Sequence, residues 1–236
     1  MNKMTVGINS ETVKEYGLSA GASVVGIAAS KDFGLAPDGC KPSDKLAGCL
    51  SVVVLGMPFP QEALSMNLSE YTDIRNGILK KMDSIAKAVT KQIISKGCKA
   101  IAIGGVGGKY VNGKFYGHIS LKHAAELAGL GIIARNYLLT SPEYGNLLWL
   151  SGVLTNADLV PDKKAQYMVC DNCNKCVDMC PAKALDNPDL FGNKECNKTC
   201  WKQVSGKWEL NCFLCRKVCP FQESESLKKV KSAAYD

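Results

Sequence analysis

Nine of the chain's twelve cysteines lie between Cys170 and Cys219, and their spacing is that of metal ligands. The first run is Cys170-x2-Cys173-x2-Cys176-x3-Cys180-Pro181. This is the spacing that holds [4Fe–4S] clusters in small two-cluster electron carriers. Two-residue gaps let a tight loop set three thiolates round one face of an iron–sulfur cube. The fourth cysteine then sits about one helical turn further on, facing a second cube. Zinc sites use two separated pairs rather than four cysteines in one run closed by proline.

The second run, Cys212-x2-Cys215-x3-Cys219-Pro220, matches the last three positions of the same pattern. Its first position falls on Glu209, so a cysteine from upstream must complete the set; Cys196 and Cys200 are the candidates, with Cys196 preferred. Crossed ligation then gives one cluster to Cys170, Cys173, Cys176 and Cys219. The other goes to Cys180, Cys212, Cys215 and one of the upstream pair. Cys40, Cys49 and Cys98 stand apart and read as small buried apolar residues. No charged-then-apolar leader with a small-residue cleavage site opens the sequence, and thiolate ligands must stay reduced until iron arrives. A reducing cytoplasm and anaerobic handling are therefore expected, and a disulfide scaffold is not.

The elements that position these ligands divide near residue 165. Residues 1–165 of the 236 alternate helices and strands. Ser10 is expected to cap a helix over Glu11–Ala20, and Ser23–Ala28 and Ser51–Leu55 read as strands, the second fully buried. After Tyr71, apolar residues at Ile74, Ile78, Met82, Ile85, Val89 and Ile93 recur every three or four positions, a long helix ended by Gly97. Lys99–Ile103 is a third strand, Leu121–Ala128 a helix capped by Ser120, and Leu147–Leu154 a fourth strand. Gly104–Gly108 fits neither a dinucleotide-binding nor a P-loop spacing and reads as a turn. Residues 166–236 show little periodicity and read as a small unit held by ligands. The net charge of +7, part of it in Lys228, Lys229 and Lys231, forms no dense basic run with interleaved aromatics, so it reads as a solvated surface. No apolar stretch approaches the ~18 residues of a membrane span.

One ordered set of motifs is more specific. Ser120-Leu-Lys-His-Ala-Ala-Glu-Leu-Ala-Gly-Leu-Gly131 precedes Ala134-Arg-Asn-Tyr-Leu-Leu-Thr140, then Pro142-Glu-Tyr-Gly145, an apolar strand and the two cysteine runs. Over residues 70–220 this order resembles the epoxyqueuosine reductase family, cobalamin-dependent double-cluster proteins related to reductive dehalogenases. The resemblance implies an α+β fold: a nitroreductase-like α+β domain (1–165) that holds cobalamin base-off, followed by a ferredoxin-like domain (166–236) with two [4Fe–4S] clusters. Carried over by position, Leu121, Lys122, Ala134, Arg135, Asn136, Tyr137, Leu138, Tyr144 and Gly145 would surround the corrin. Gly129, Gly131 and Gly145 would let backbone approach the ring. No D-x-H-x-x-G corrinoid motif is present, consistent with cobalt lacking a histidine from this chain.

Two departures qualify the resemblance. The tRNA-acting reductases carry a proton-donating Asp about ten residues before the second Ala of this helix; here that count reaches Phe115–Tyr116. Their C-terminal repeat extension is also missing, so tRNA is not the expected substrate. Tyr116 and His118 are the replacement proton donors, beside the reading that each makes a local hydrogen bond. The implied function is an oxidoreductase. An external low-potential donor of ferredoxin or flavodoxin type feeds the clusters, and these reduce a corrinoid cobalt for attack on a small substrate. The alternative is a non-catalytic electron carrier, or a corrinoid reductase or chaperone, that serves a partner corrinoid protein.

Overall fold

The computed structural model describes residues 8–111, 114–167, 169–187 and 193–222; the tail lysines Lys228, Lys229 and Lys231 lie outside them. In chain order the first elements are α1 (Ser10–Ser19), β1 (Val24–Ala29), α2 (Pro42–Lys45), β2 (Ser51–Pro58), α3 (Leu68–Ser95), β3 (Ala100–Ile103), β4 (Gly108–Val111) and β5 (Lys114–Gly117). Then come α4 (Leu121–Leu127), β6 (Ile132–Ile133), β7 (Leu139–Thr140) and β8 (Leu148–Thr155). The cysteine-rich segment holds α5 (Lys175–Asp178), α6 (Asn193–Cys200), β9 (Trp201–Val204), β10 (Lys207–Leu210) and α7 (Leu214–Lys217).

Strand β2 organises the first segment. It lies inside a four-stranded antiparallel sheet of order β1-β2-β8-β3, with Val53 opposite Ile27 on one side and Val153 on the other. Alternate side chains point to opposite faces. Val53, Leu55 and Met57 join Val13 of α1 and Met82, Ile85, Val89 and Ile93 of α3 in one core, while Val52 and Val54 join Ala124 and Ala125 of α4 in another. Both faces are covered, so the strand is apolar at consecutive positions rather than alternating.

Two helix starts depart from the expected ones, whereas Ser120 caps α4 as expected. Asn9, not Ser10, caps α1: its Oδ1 accepts from the Thr12 N–H at 2.8 Å, while the Ser10 hydroxyl donates to the Val160 carbonyl at 3.1 Å. Helix α3 begins at Leu68, before Tyr71, because Asn67 and Glu70 form a reciprocal capping box. It stops as expected beside Gly97, whose φ is +86°.

The cysteine-rich segment is ordered mostly by turns. The short helices α5 and α7, one from each cysteine run, pack together. Strands β9 and β10 form a hairpin whose turn residues Ser205 and Gly206 both have positive φ (48° and 79°), as a two-residue type I′ turn requires. This segment is fastened to the sheet segment along an aromatic seam. Phe213 stacks on Tyr71 with centroids 4.0 Å apart, and Tyr71 also contacts Phe59 at 4.8 Å. The Leu210 N–H donates to Thr72 Oγ1 at 3.0 Å. Among the described residues, no helix is long and apolar enough to cross a membrane.

Candidate functional site

The turns of the first cysteine run are built from left-handed backbone. Cys170, Asn172 and Lys183 have φ of 64°, 51° and 49°, conformations that gather backbone N–H groups on one side of a loop. Two of the thiols already receive such donors: the Ala184 N–H points at Cys180 Sγ (3.4 Å), and the Arg135 backbone N–H reaches Cys170.

The thiols shift one another's ionisation, mostly within two neighbourhoods and with Cys215 also acting on Cys176. Burial pushes the Cys176 thiol up to about 11, and Cys170, Cys219, Cys215 and Cys173 push the same way. Burial also raises Cys219, with Cys170 and Cys173 adding to it. Cys215 is pushed up to about 11, again first by burial, against the pull of Arg216 and with Cys196, Cys212 and Cys180 adding. Cys196 and Cys200 share a hydrogen bond that raises the first thiol and lowers the second; Cys212 and Cys215 are the other sulfurs acting on Cys200. The first set is thus Cys170, Cys173, Cys176 and Cys219, and the second is Cys180, Cys196, Cys200, Cys212 and Cys215, with Cys176 and Cys215 linking them. Among the described residues, no three Cys, His, Asp or Glu side chains converge tightly enough for a single metal ion.

Polar ties hold the sets against the sheet segment. Asn136 is buried; its Nδ2 donates to the Cys215 carbonyl at 3.1 Å and its Oδ1 accepts from the Leu138 N–H at 3.1 Å. Asn146 Nδ2 donates to the Arg216 carbonyl at 3.1 Å, and Arg216 Nη1 donates back to the Asn146 carbonyl. The Arg216 guanidinium lies over the Trp149 ring, 4.2 Å from its centroid.

A cavity of about 180 Å3 lies at this seam, with Arg75, Leu121, Lys122, Leu138, Asn146, Trp149 and Arg216 in its wall. Burial pushes the Lys122 ammonium down to about 8, with Arg216 acting the same way and Cys215 and Cys196 opposing; the ammonium donates to the Tyr137 carbonyl. Trp149 Nε1 and Asn146 Oδ1 are buried without a hydrogen-bond partner. A larger depression of about 490 Å3, lined by Lys31, Lys41 and Cys49 among others, has no cluster cysteine in its wall.

Of the residues expected round a corrin, the structure brings only Leu121, Lys122 and Leu138 to this cavity. Ala134 is buried in a turn closed by its own N–H to Leu138 and by the Tyr137 N–H to its carbonyl. Arg135 and Asn136 face the cysteine-rich segment, and both ends of the Asn136 amide are already engaged. Tyr137 adopts φ 56° and offers its carbonyl to Lys122. Tyr144 packs on the Val52/Val54 core, and Gly145 pairs with Ser141. The glycines of the AGLG motif serve packing: a Cβ on Gly129 would stand 2.2 Å from the Lys163 carbonyl oxygen, and one on Gly131 2.5 Å from that of Thr140. Tyr116 is half-buried on β5, which lies against α6; His118 is exposed, and neither lines the cavity. Sequence reasoning missed Arg75, Trp149 and Arg216, which come together from positions some 140 residues apart. The hint available was Arg216 itself, a cation set between cysteine ligands.

No protein-family model matches the chain. Among curated proteins it is 32% identical to the epoxyqueuosine reductase of Bacillus subtilis (strain 168) over 119 residues, which cover 46% of this chain and 31% of that one. It is 28% identical to the epoxyqueuosine reductase of Gloeobacter violaceus over 181 residues, covering 70% of this chain and 52% of that one. The chain is a relative of the epoxyqueuosine reductases. Its matched part spans 31% and 52% of the length of these two relatives. Its fold is shared with an epoxyqueuosine reductase solved with a modified tRNA stem loop (23% identity, TM-score 0.63, 91% of this chain and 65% of that one). It is also shared with the catabolic reductive dehalogenase NpRdhA (20% identity, TM-score 0.71, 95% of this chain and 34% of that one). Another dehalogenase structure of the same fold is described as suggesting a mechanism for B12-dependent dehalogenation.

The two kinds of cofactor that these relatives imply meet different reception. The nine thiols, the left-handed turns and the N–H groups aimed at sulfur fit iron–sulfur clusters. The seam cavity has orphaned polar atoms that suit a ligand with amide groups. Its volume, though, is below the ≈ 300–1,000 Å3 typical of pockets for drug-sized ligands, and a corrin is larger than those. As it stands the cavity does not fit a corrin.

Proposed function

We propose that the chain is an iron–sulfur oxidoreductase that takes electrons from an external low-potential donor and delivers them, through two [4Fe–4S] clusters, to an acceptor at the seam. The spacing of the two cysteine runs carries this reading, and the neighbourhoods of the thiols are compatible with it. Cys170, Cys173, Cys176 and Cys219 hold one cluster. Cys180, Cys212, Cys215 and Cys196 hold the other, with Cys200 as the neighbour that hydrogen-bonds to Cys196. The second cluster is the delivery end, because Cys215 precedes Arg216 of the cavity wall.

In this proposal residues 166–236 are the ferredoxin-like unit and residues 1–165 the nitroreductase-like one, in a reducing cytoplasm. A corrinoid is the acceptor that the family resemblance implies. The small cavity favours the second reading, in which electrons pass to a corrinoid held by a partner protein. The departures at Phe115–Tyr116 argue against tRNA as substrate.

Titration of the anaerobically reconstituted protein with cob(II)alamin, followed by EPR, separates the readings. Binding with loss of the lower-ligand nitrogen splitting assigns the corrinoid to this chain. An unchanged spectrum of free cob(II)alamin at concentrations on the order of tens of micromolar leaves the carrier reading. Clusters that neither form nor reduce would overturn both.

A further inference from the structure

The seam gathers positive charge beside the second set of cysteines. Arg75, Lys122 and Arg216 come from three distant stretches of chain and line one cavity. Each is fixed against the cysteine-rich segment or the loop that meets it. Arg75 donates to Asn76 Oδ1 at 2.9 Å, and its guanidinium lies 4.8 Å from the centre of the Trp201 ring; Trp201 directly follows Cys200. Lys122 donates to the Tyr137 carbonyl, and the preceding residue, Asn136, donates to the Cys215 carbonyl. Arg216, only 5% exposed, directly follows Cys215 and donates to the Asn146 carbonyl.

These cations face thiols, and the pairing is uneven. Arg75 interacts with the Cys200 sulfur, and Lys122 with those of Cys215 and Cys196, all in the second set. Arg216 interacts with Cys215 and then with Cys219, so it is shared between the sets. The first set has its own cation in Arg135, whose charge acts on Cys170 and whose buried Nε–H has no acceptor. Reduction adds one negative charge to a cluster, and the potential of a cluster follows the charge, hydrogen bonds and solvent exposure around it. A cation held beside it in a medium of low dielectric favours the reduced form. A mobile surface lysine does so far less, because water and salt screen it.

We propose that Arg75 and Lys122 are positioning residues that raise the reduction potential of the second cluster and leave that of the first unchanged. Arg135 does the same for the first cluster. Arg216 acts on both and sets no difference between them. The electron is therefore held at the seam end more readily than it would be beside an uncharged wall. This deepens the proposed function and rests on it for the two clusters.

The test is a redox titration of the anaerobically reconstituted full chain, followed by EPR, with iron counted in every sample. Cys173→Ser and Cys180→Ser assign the two signals. Arg75→Met and Lys122→Met should each shift the reduction equilibrium of the second cluster about tenfold toward the oxidised form, a fall of about 59 mV for a one-electron couple. The midpoint of the first cluster should stay where it is. Arg75→Lys and Lys122→Arg keep the charge and should hold the second midpoint near its original value. Arg135→Met should give the mirror result, lowering the first midpoint alone. Should one methionine variant fail to hold iron, the other decides. Full iron with an unmoved second midpoint overturns the proposal, as does an equal fall in both clusters. A fall reproduced by the charge-keeping variants also overturns it, because packing and not charge would then be the cause. Four or fewer irons in the unmodified protein, or a single signal, removes the two-cluster reading instead.

Discussion

The sheet segment and the cysteine-rich segment reach order by opposite routes. The first buries a strand on both faces: Val52, Val53, Val54 and Leu55 are all fully enclosed. The second has short helices, two-residue turns and few buried apolar side chains of its own; Leu210 reaches the core only by joining Phe59 and Tyr71 across the seam. Apolar burial of about 25 cal/mol per Å2 carries the sheet, whereas under the proposed function the cysteine-rich segment would draw its order from cluster ligation. One segment is a scaffold, and the other is a ligand set docked on it by Asn136, Asn146 and the aromatic seam.

The sharpest way to break this comparison is to remove the clusters. Chelation should abolish amide protection throughout Cys170–Cys219 and leave Val53, Leu55 and Val153 protected in hydrogen exchange. Equal loss in both segments would mean that the sheet also needs the clusters. Next in size, Leu55→Ala should cost roughly 2–5 kcal/mol of stability in urea unfolding, with iron content unchanged at low temperature. Asn136→Ala removes the amide between Cys215 and Leu138 and leaves buried backbone groups unsatisfied, at about 1–3 kcal/mol. Its mark should be faster iron loss rather than a weaker sheet. The smallest effect belongs to Asn9→Ala, about 1 kcal/mol from a lost helix cap, seen in urea unfolding and with no change in the rate of iron loss.

The sheet was legible because its signals are local. The run Val52–Leu55 and the periodic residues from Ile74 to Ile93 announce their elements directly. The errors lie at edges, where side chains decide: Asn9 rather than Ser10 caps α1, and Asn67 with Glu70 starts α3 three residues before Tyr71. The β9–β10 hairpin went unread, although the Ser205-Gly206 pair between two short polar–apolar runs is a turn signal. The cysteine spacing is likewise a local signal, and the proposed ligand set rests on it. The cavity was not legible, because Arg75, Lys122, Trp149 and Arg216 meet only through tertiary packing. The AGLG motif was read for ligand approach, and the structure uses its glycines to bring Lys163 and Thr140 backbone close.

The central claim is crossed ligation of two cubes, and paired cysteine substitutions test it most directly. After anaerobic reconstitution the unmodified protein should carry about eight irons and eight sulfides. Cys173→Ser should damage the cluster of Cys170, Cys176 and Cys219, and Cys180→Ser the cluster of Cys212 and Cys215, so that each variant loses a different EPR signal of the reduced protein. Loss of the same signal from both variants, or four or fewer irons in the unmodified protein, would contradict the account.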